Sequence, residues 1–194
     1  MTRRHELSRK TSEVELTGSL DLDGSGVSKV DTGLGFLDHM LTALSKHSGI
    51  DLEISAHGDT DVDDHHTVED CAITIAEAFD RALGDRAGIV RFGSAYAPLD
   101  ESLARAVVDL SGRGWPEVNL DFARERIGDV ATENITHFFR SLAISGRMAL
   151  HIDVLRGDND HHKAEASFKA TALALRTAIA RSGAGGVPST KGVL

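Results

Sequence analysis

Two stretches of the chain, Asp64-His65-His66-Thr67-Val68-Glu69 and Asp160-His161-His162-Lys163-Ala164-Glu165, set a pair of adjacent imidazoles just ahead of a carboxylate. Neutral imidazole and carboxylate are ligands for divalent transition metals. On a helix, residues three and four apart share a face, so Glu69 is in reach of His65 and His66, and Glu165 of His161 and His162. Adjacent histidines point roughly 100° apart around a helix, so one helix start can serve two different ions. His39 and His137 add one matched imidazole to each copy, each away from its helix's apolar face. Six histidines and two glutamates then divide into two equivalent sites of three imidazoles and one carboxylate, with coordination positions left open as catalysis requires. Asp70 would also sit four residues from His66, but its counterpart is Ala166, which argues against a shared role. A single HHxxE at a helix start serves capping and solvation more often than metal; a second copy with two further matched histidines decides for metal. The ligand types suit zinc, iron or manganese, and the affinity order favours zinc over manganese. His5, His57 and His151 read as structural or exposed, and His47, two turns beyond His39, is undecided on this ground.

The elements that must hold these residues are themselves duplicated. A shift of 88 places Glu13 on Glu101, Asp21-Leu22 on Asp109-Leu110, Gly24 on Gly112 and Gly26 on Gly114. A shift of 98 places His39 on His137, Leu44 on Leu142, Leu52 on Leu150 and Ile54 on Ile152, and a shift of 96 superposes the two HHxxE motifs. Changes of shift belong to loops, and matched order over a whole half is the signature of a repeat. The predicted units are 1–88, 89–182 and a C-terminal tail, 183–194. Each half reads as strand, strand, helix, strand, helix. Alternation marks strands at Val14–Leu22 and Ala104–Leu110, and again at Asp51–Ala56 and Ala149–Leu155. Phe36, Leu37, Met40, Leu41 and Leu44 fall at helical spacing, as do Ile135, Phe138, Phe139 and Leu142. Long alanine-rich helices are expected over 65–83 and 161–179, with the aspartates just ahead as N-caps. The fold class is therefore α+β: two similar sheet-plus-helices halves, with helices packed on one face of each sheet.

Thirty acidic against twenty-one basic residues give a net charge of -9, which argues against sequence-independent nucleic-acid binding. No apolar run approaches the ~18 residues of a membrane span, and no secretory leader is expected at MTRRHELSRK. One cysteine, Cys71, rules out a disulfide within the chain and fits a reducing, cytoplasmic setting. An anionic ligand would need a local basic cluster. The tail residues Pro188-Ser189-Thr190-Lys191-Gly192 can wrap an anion with backbone N–H groups, a hydroxyl and an ammonium. Arg91, Arg113 and Lys169 are further candidates, and Glu13 is a candidate acid/base.

GFLDHML (35–41), DDHHTVED (63–70), PLDE (98–101), DLSGRG (109–114), ENITHFFRSLA (133–143), NDHHKAEASFKA (159–170) and PSTKGVL (188–194) together resemble the imidazoleglycerol-phosphate dehydratase family, in order and over nearly the whole chain. The resemblance implies an enzyme of histidine biosynthesis that removes water from imidazole glycerol phosphate to give imidazole acetol phosphate. It implies two manganese ions per active site on His39, His65, His66, Glu69, His137, His161, His162 and Glu165, with ligands drawn from neighbouring subunits. It implies trimers assembled into a 24-subunit shell, and a protein without the phosphatase domain fused to some relatives. Arg91, Arg113, Lys169, Ser189 and Lys191 would hold the substrate phosphate, Asp100 and His47 would also contact substrate, and Glu13 would move protons. Ala43 departs from the pattern, since relatives commonly carry glutamine there.

The chemistry gives metals a purpose. The hydrogen to be removed lies beside an imidazole ring, not beside a carbonyl, so a metal on a ring nitrogen would supply the electron sink. Two other classes compete on the residues alone: a dinuclear metallohydrolase of a phosphate ester, for which bridging aspartates would be expected, and a non-catalytic protein whose metals staple subunits together.

Overall fold

The structure, a computed structural model, describes residues 2–192 and 194. The first half runs β1 (Arg4–Lys10), β2 (Val14–Asp21), β3 (Ser28–Asp31), α1 (Gly35–Ser48), β4 (Asp51–Gly58) and α2 (His65–Leu83). The second runs β5 (Phe92–Leu99), β6 (Ser102–Asp109), β7 (Trp115–Asn119), a small hairpin of β8 (Arg126–Ile127) and β9 (Val130–Ala131), α3 (Thr132–Ser145), β10 (Ala149–Arg156) and α4 (Asp160–Ala178). The sheets have the orders β1-β2-β4-β3 and β5-β6-β10-β7. In each, the last-named strand pairs in parallel and the other pairs are antiparallel. The duplication is thus written into topology as well as sequence. Each four-stranded sheet holds one strand more than the alternation suggests, because β3 and β7 are short edge strands with little apolar pattern.

Alternation does set the sheets' inner faces. Val14, Leu16 and Leu20 of β2 and Leu150 and Ile152 of β10 are buried, while their neighbours face outward. Helices cover that inner face. In α1, Leu37, Met40, Leu41 and Leu44 form the buried stripe, and the helix stops where Gly49 takes φ 80° and returns its N–H to Ser45 O. The helix α4 lies so close to β5 that a Cβ on Gly93 would collide with the Ala174 carbonyl. Buried side chains of both halves form one continuous cluster. At its centre the Phe168 ring stands 4.5 Å from that of Phe139 and 5.2 Å from that of Phe138. Burying aromatics of this size contributes about 2–3 kcal/mol each. No helix among the described residues is long and apolar enough to cross a membrane.

The halves differ where the second carries residues 120–131 in place of the short link 32–34. This hairpin is tied to the starts of three helices, α1, α2 and α4. The Asp160 carboxylate accepts from the amides of Ala123 (2.9 Å) and Arg124 (2.7 Å), and Asp64 accepts from that of Ala131 (2.9 Å). Lys163 donates to Asp121 O, and Asp129 accepts from the amides of Gly35 and Phe36 at the start of α1. Asp64 stands at the expected N-cap position of α2 but its side chain makes no capping bond, and the N-cap of α4 is Asn159, not Asp160. Capping falls one residue earlier, where Asp63 accepts from His65 N and Asn159 from His161 N. Asp64 and Asp160 are freed to turn inward, and both are almost fully buried.

Candidate functional site

Helix geometry places His65 and Glu69, and likewise His161 and Glu165, on one side of α2 and α4. The partner that completes each set comes from the opposite half. His39 of α1 joins His161 and Glu165, and His137 of α3 joins His65 and Glu69. In each triad one ligand atom per residue lies within 4.8 Å of the others. Glu165 Oε2 is 3.2 Å from His39 Nε2 and 3.3 Å from His161 Nε2. Glu69 Oε1 is 2.8 Å from His137 Nε2. Imidazole nitrogen with carboxylate oxygen, and no thiolate, is a donor set that fits a divalent ion such as manganese, iron or zinc.

A single chain does not by itself bring together two sets of three imidazoles and one carboxylate. Six of the eight expected ligands converge as two triads, while His66 and His162 join neither. Being one residue further round the helix, they point aside. His66 Nδ1 faces both oxygens of Asp59 at 3.1 and 3.2 Å, and its Nε2 lies 3.8 Å from Glu13. His162 Nδ1 faces Glu101 at 2.8 Å, and its Nε2 lies 3.9 Å from Asp100.

The two triads also differ in their surroundings. Lys169 donates to Glu165 Oε1 at 2.7 Å. Burial alone would raise the Glu165 carboxyl, but Lys169 and His39 together hold it below its ordinary value. Phe36 packs edge-on to His161 with ring centroids 5.2 Å apart. At the repeat position of Phe36, 98 residues on, stands Asn134, whose Oδ1 is 2.8 Å from His65 Nδ1 and whose amide donates to Asp64. Asp64 can only accept, so the amide must present its oxygen to His65, which fixes the proton on Nδ1 and leaves Nε2 free to ligate. Ser141, the counterpart of Ala43, reaches His137 Nε2 at 3.3 Å. Ligand sets that match by residue type are thus held by unlike neighbours.

The candidate anion residues fall in separate places. Arg91 adopts φ 78°, rare for a residue with a side chain and costing of order 1–3 kcal/mol. A two-pronged contact with Asp109 (2.7 and 3.1 Å) and a bond from Nη1 to Pro188 O (2.8 Å) hold it there. The tail is docked, since Gly88 N also donates to Gly186 O. Beyond Pro188 the chain turns, with Gly192 N donating to Ser189 O, and the Leu194 backbone lies against Gly112, next to the exposed Arg113. Lys169 and His47 stand elsewhere, beside the Glu165 triad; His47 is lowered in pKa by burial and by the Lys169 charge. Asp100 is at the tip of the β5–β6 turn with φ 46°.

Sequence reading missed Asp59, Asn134 and Ser141. Asp59 and Asn134 have unlike counterparts in the other half, so the repeat gave them no vote. The ten-residue change of shift between Gly26 and His39 was the visible signal for the extra hairpin.

Residues 32–175 match the model of a family described as imidazoleglycerol-phosphate dehydratase. An imidazoleglycerol-phosphate dehydratase of Phytophthora nicotianae is 61% identical over 99% of this chain, which spans 42% of that longer protein. One from Chlorobium luteolum is 55% identical over 99% of this chain and 96% of its own. Among solved structures, an imidazoleglycerol-phosphate dehydratase from Staphylococcus aureus superposes with a TM-score of 0.84 at 40% identity, covering 92% of this chain and 98% of that one. The Pyrococcus furiosus protein, solved with (S)-C348, gives 0.83 at 34% identity over 98% of this chain and 100% of its own.

Proposed function

The chain belongs to the imidazoleglycerol-phosphate dehydratase family, and we propose that it dehydrates imidazole glycerol phosphate to imidazole acetol phosphate in histidine biosynthesis, using two manganese ions per active site. The observation that carries this reading is the pair of His/His/Glu triads, each drawn from both halves and each with a further histidine turned aside next to a carboxylate. A bound divalent ion would supply Lewis-acid charge where electrons from the broken C–H bond must go.

The chain's own residues divide the remaining work. His39, His161 and Glu165 would hold one ion, and His65, His137 and Glu69 the other. His66 and His162, with Nδ1 occupied and neither in a triad of its own chain, would reach ions of neighbouring subunits, so that assembly into trimers and a 24-subunit shell would complete the sites. Arg91, Arg113, Lys169, Ser189 and Lys191 bind phosphate, those of the tail side meeting Lys169 across a subunit boundary. Asp100 and His47 contact substrate near His162 and Glu165. Glu13 stands 3.8 Å from His66 Nε2, and no hydrogen bond among the described residues fixes its carboxylate. It takes the proton from the carbon beside the ring and returns one to the departing hydroxyl, which leaves as water; the enol then tautomerises to the ketone. The cytoplasm, where the single thiol stays reduced, is the expected compartment.

Protein saturated with manganese should form imidazole acetol phosphate from imidazole glycerol phosphate, followed by proton NMR, with two ions per chain by elemental analysis. Chelation should stop the reaction and dissociate the assembly in native mass spectrometry. Release of inorganic phosphate instead of ketone, or full turnover after chelation, would overturn the proposal.

A further inference from the structure

One carboxylate duty changes position between the halves. His66 and His162 are repeat partners, and each directs Nδ1 at a carboxylate. For His162 the acceptor is Glu101, in the β5–β6 turn, whose Oε1 also receives the amides of Asn159 (2.9 Å) and Asp158 (3.3 Å) and the hydroxyl of Ser102 (3.0 Å). For His66 the acceptor is Asp59, the residue after β4. The repeat partner of Glu101 is Glu13, 88 residues before it, and that of Asp59 is Gly157, 98 residues beyond. Position 157 cannot carry a side chain: its φ is 151°, and a Cβ there would collide with Ser102 Oγ. The second half therefore has no carboxylate at the position equivalent to Asp59 and uses the one in the turn. The first half uses the strand end, which the bond from Asp59 N to Glu13 O fastens beside the turn. Its turn carboxylate, Glu13, stands instead at the other ring nitrogen of His66.

The consequence follows from donor and acceptor chemistry. An ionised carboxylate can only accept, so the neutral imidazole facing it carries its proton on Nδ1 and its lone pair on Nε2. We propose that Asp59 is the positioning residue that holds His66 in this ligand-ready tautomer, relieving Glu13 of the duty that Glu101 performs in the second half. The proposal rests on the metal reading above for its purpose, but the tautomer exists with or without metal.

Asp59→Ala removes the acceptor, and Asp59→Glu restores a carboxylate of the kind that serves His162. In chelated full-length protein with 15N-labelled histidine, assigned against His66→Asn, wild type should show His66 protonated on Nδ1. Asp59→Ala should move it toward Nε2–H, and Asp59→Glu should return it. In manganese titrations Asp59→Ala should weaken one of two ions per chain by about 10–100-fold and leave the other unchanged. Thermal unfolding of both variants separates this from a folding defect, since a merely structural Asp59 would lower the transition without moving the tautomer. An unchanged His66 tautomer in Asp59→Ala, or equal weakening of both ions, would overturn the proposal. A wild type that binds no manganese, with the tautomer still moving in Asp59→Ala, would overturn the metal reading and leave this one standing.

Discussion

Asp160 sits immediately before the second histidine pair, and its removal should be expensive. The residue is 1% exposed and accepts two backbone amides of the 120–131 hairpin, with the ammonium of Lys163 3.0 Å from its other oxygen. In Asp160→Ala two amides lose their acceptor, each costing about 1–3 kcal/mol where water does not replace it. Lys163, itself 7% exposed, keeps only Asp121 O, and orphaning one member of a buried pair costs about 3–5 kcal/mol. These costs overlap, because water entering the gap serves all three donors, so we expect a net loss of about 4 kcal/mol. At roughly 2–4 °C per kcal/mol for a chain of this size, the melting point should fall by roughly 8–16 °C. Calorimetry at fixed subunit concentration and metal loading measures it, and Asp160→Ala with Lys163→Met should recover about 2 kcal/mol by removing the stranded charge. Acid provides a second arm. Burial alone would raise the Asp160 carboxyl, but the amides of Arg124 and Ala123 and the Lys163 ammonium hold it below its ordinary value. A depressed folded pKa contributes stability that is full above the unfolded value of about 3.9 and lost as pH falls through the folded one. The gap between wild type and Asp160→Ala should therefore be constant near neutrality and close below about pH 4. A loss under about 1 kcal/mol at pH 7, or strict additivity with Lys163→Met, would refute the reasoning.

Lys191→Ala should weaken substrate binding by roughly ten- to hundredfold, from about 1.5–3 kcal/mol for a charge-assisted contact, with metal content intact; kinetics unchanged after deletion of 186–194 would remove the tail from the site. Glu13→Gln keeps shape and removes titration, so turnover should fall by about 10²–10⁴-fold while both metals and assembly are retained. The corresponding Glu101→Gln should instead disturb the start of α4, because that carboxylate is held by His162, Asn159, Asp158 and Ser102.

Periodicity made the framework legible: apolar stripes on α1 and α3, alternation on β2 and β10, and a repeat that let each half support the other. Residue type and helical spacing identified the metal-binding candidates. What sequence could not show was pairing across the halves. That His39 meets Glu165 depends on how α1 packs against α4, an arrangement no local pattern encodes. β3 and β7 escaped because short edge strands need little apolar periodicity. The side-chain bond at the start of α2 comes from Asp63 and not Asp64 because the two are chemically alike, and tertiary contacts with the hairpin decided which would turn inward. Asp59 belongs to the same class: an unremarkable loop aspartate until β4 and α2 bring it to His66.

The crossing of ligands between halves bears on descent. Neither half closes a triad alone, since His39 needs Glu165 and His137 needs Glu69. A half-length forebear with this residue pattern would therefore have made its triads only as a two-fold pair of identical chains, with α1 of one lying against the second long helix of the other. Joining two such copies end to end preserved that pairing as internal packing. It also released the copies from identity, so that one could keep a free turn carboxylate while the other gave its own to a histidine. Expressed as separate polypeptides, 1–88 and 89–194 should reassociate in that ancestral arrangement, and divalent metal should tighten their association, because each triad takes its residues from both sides of the cut.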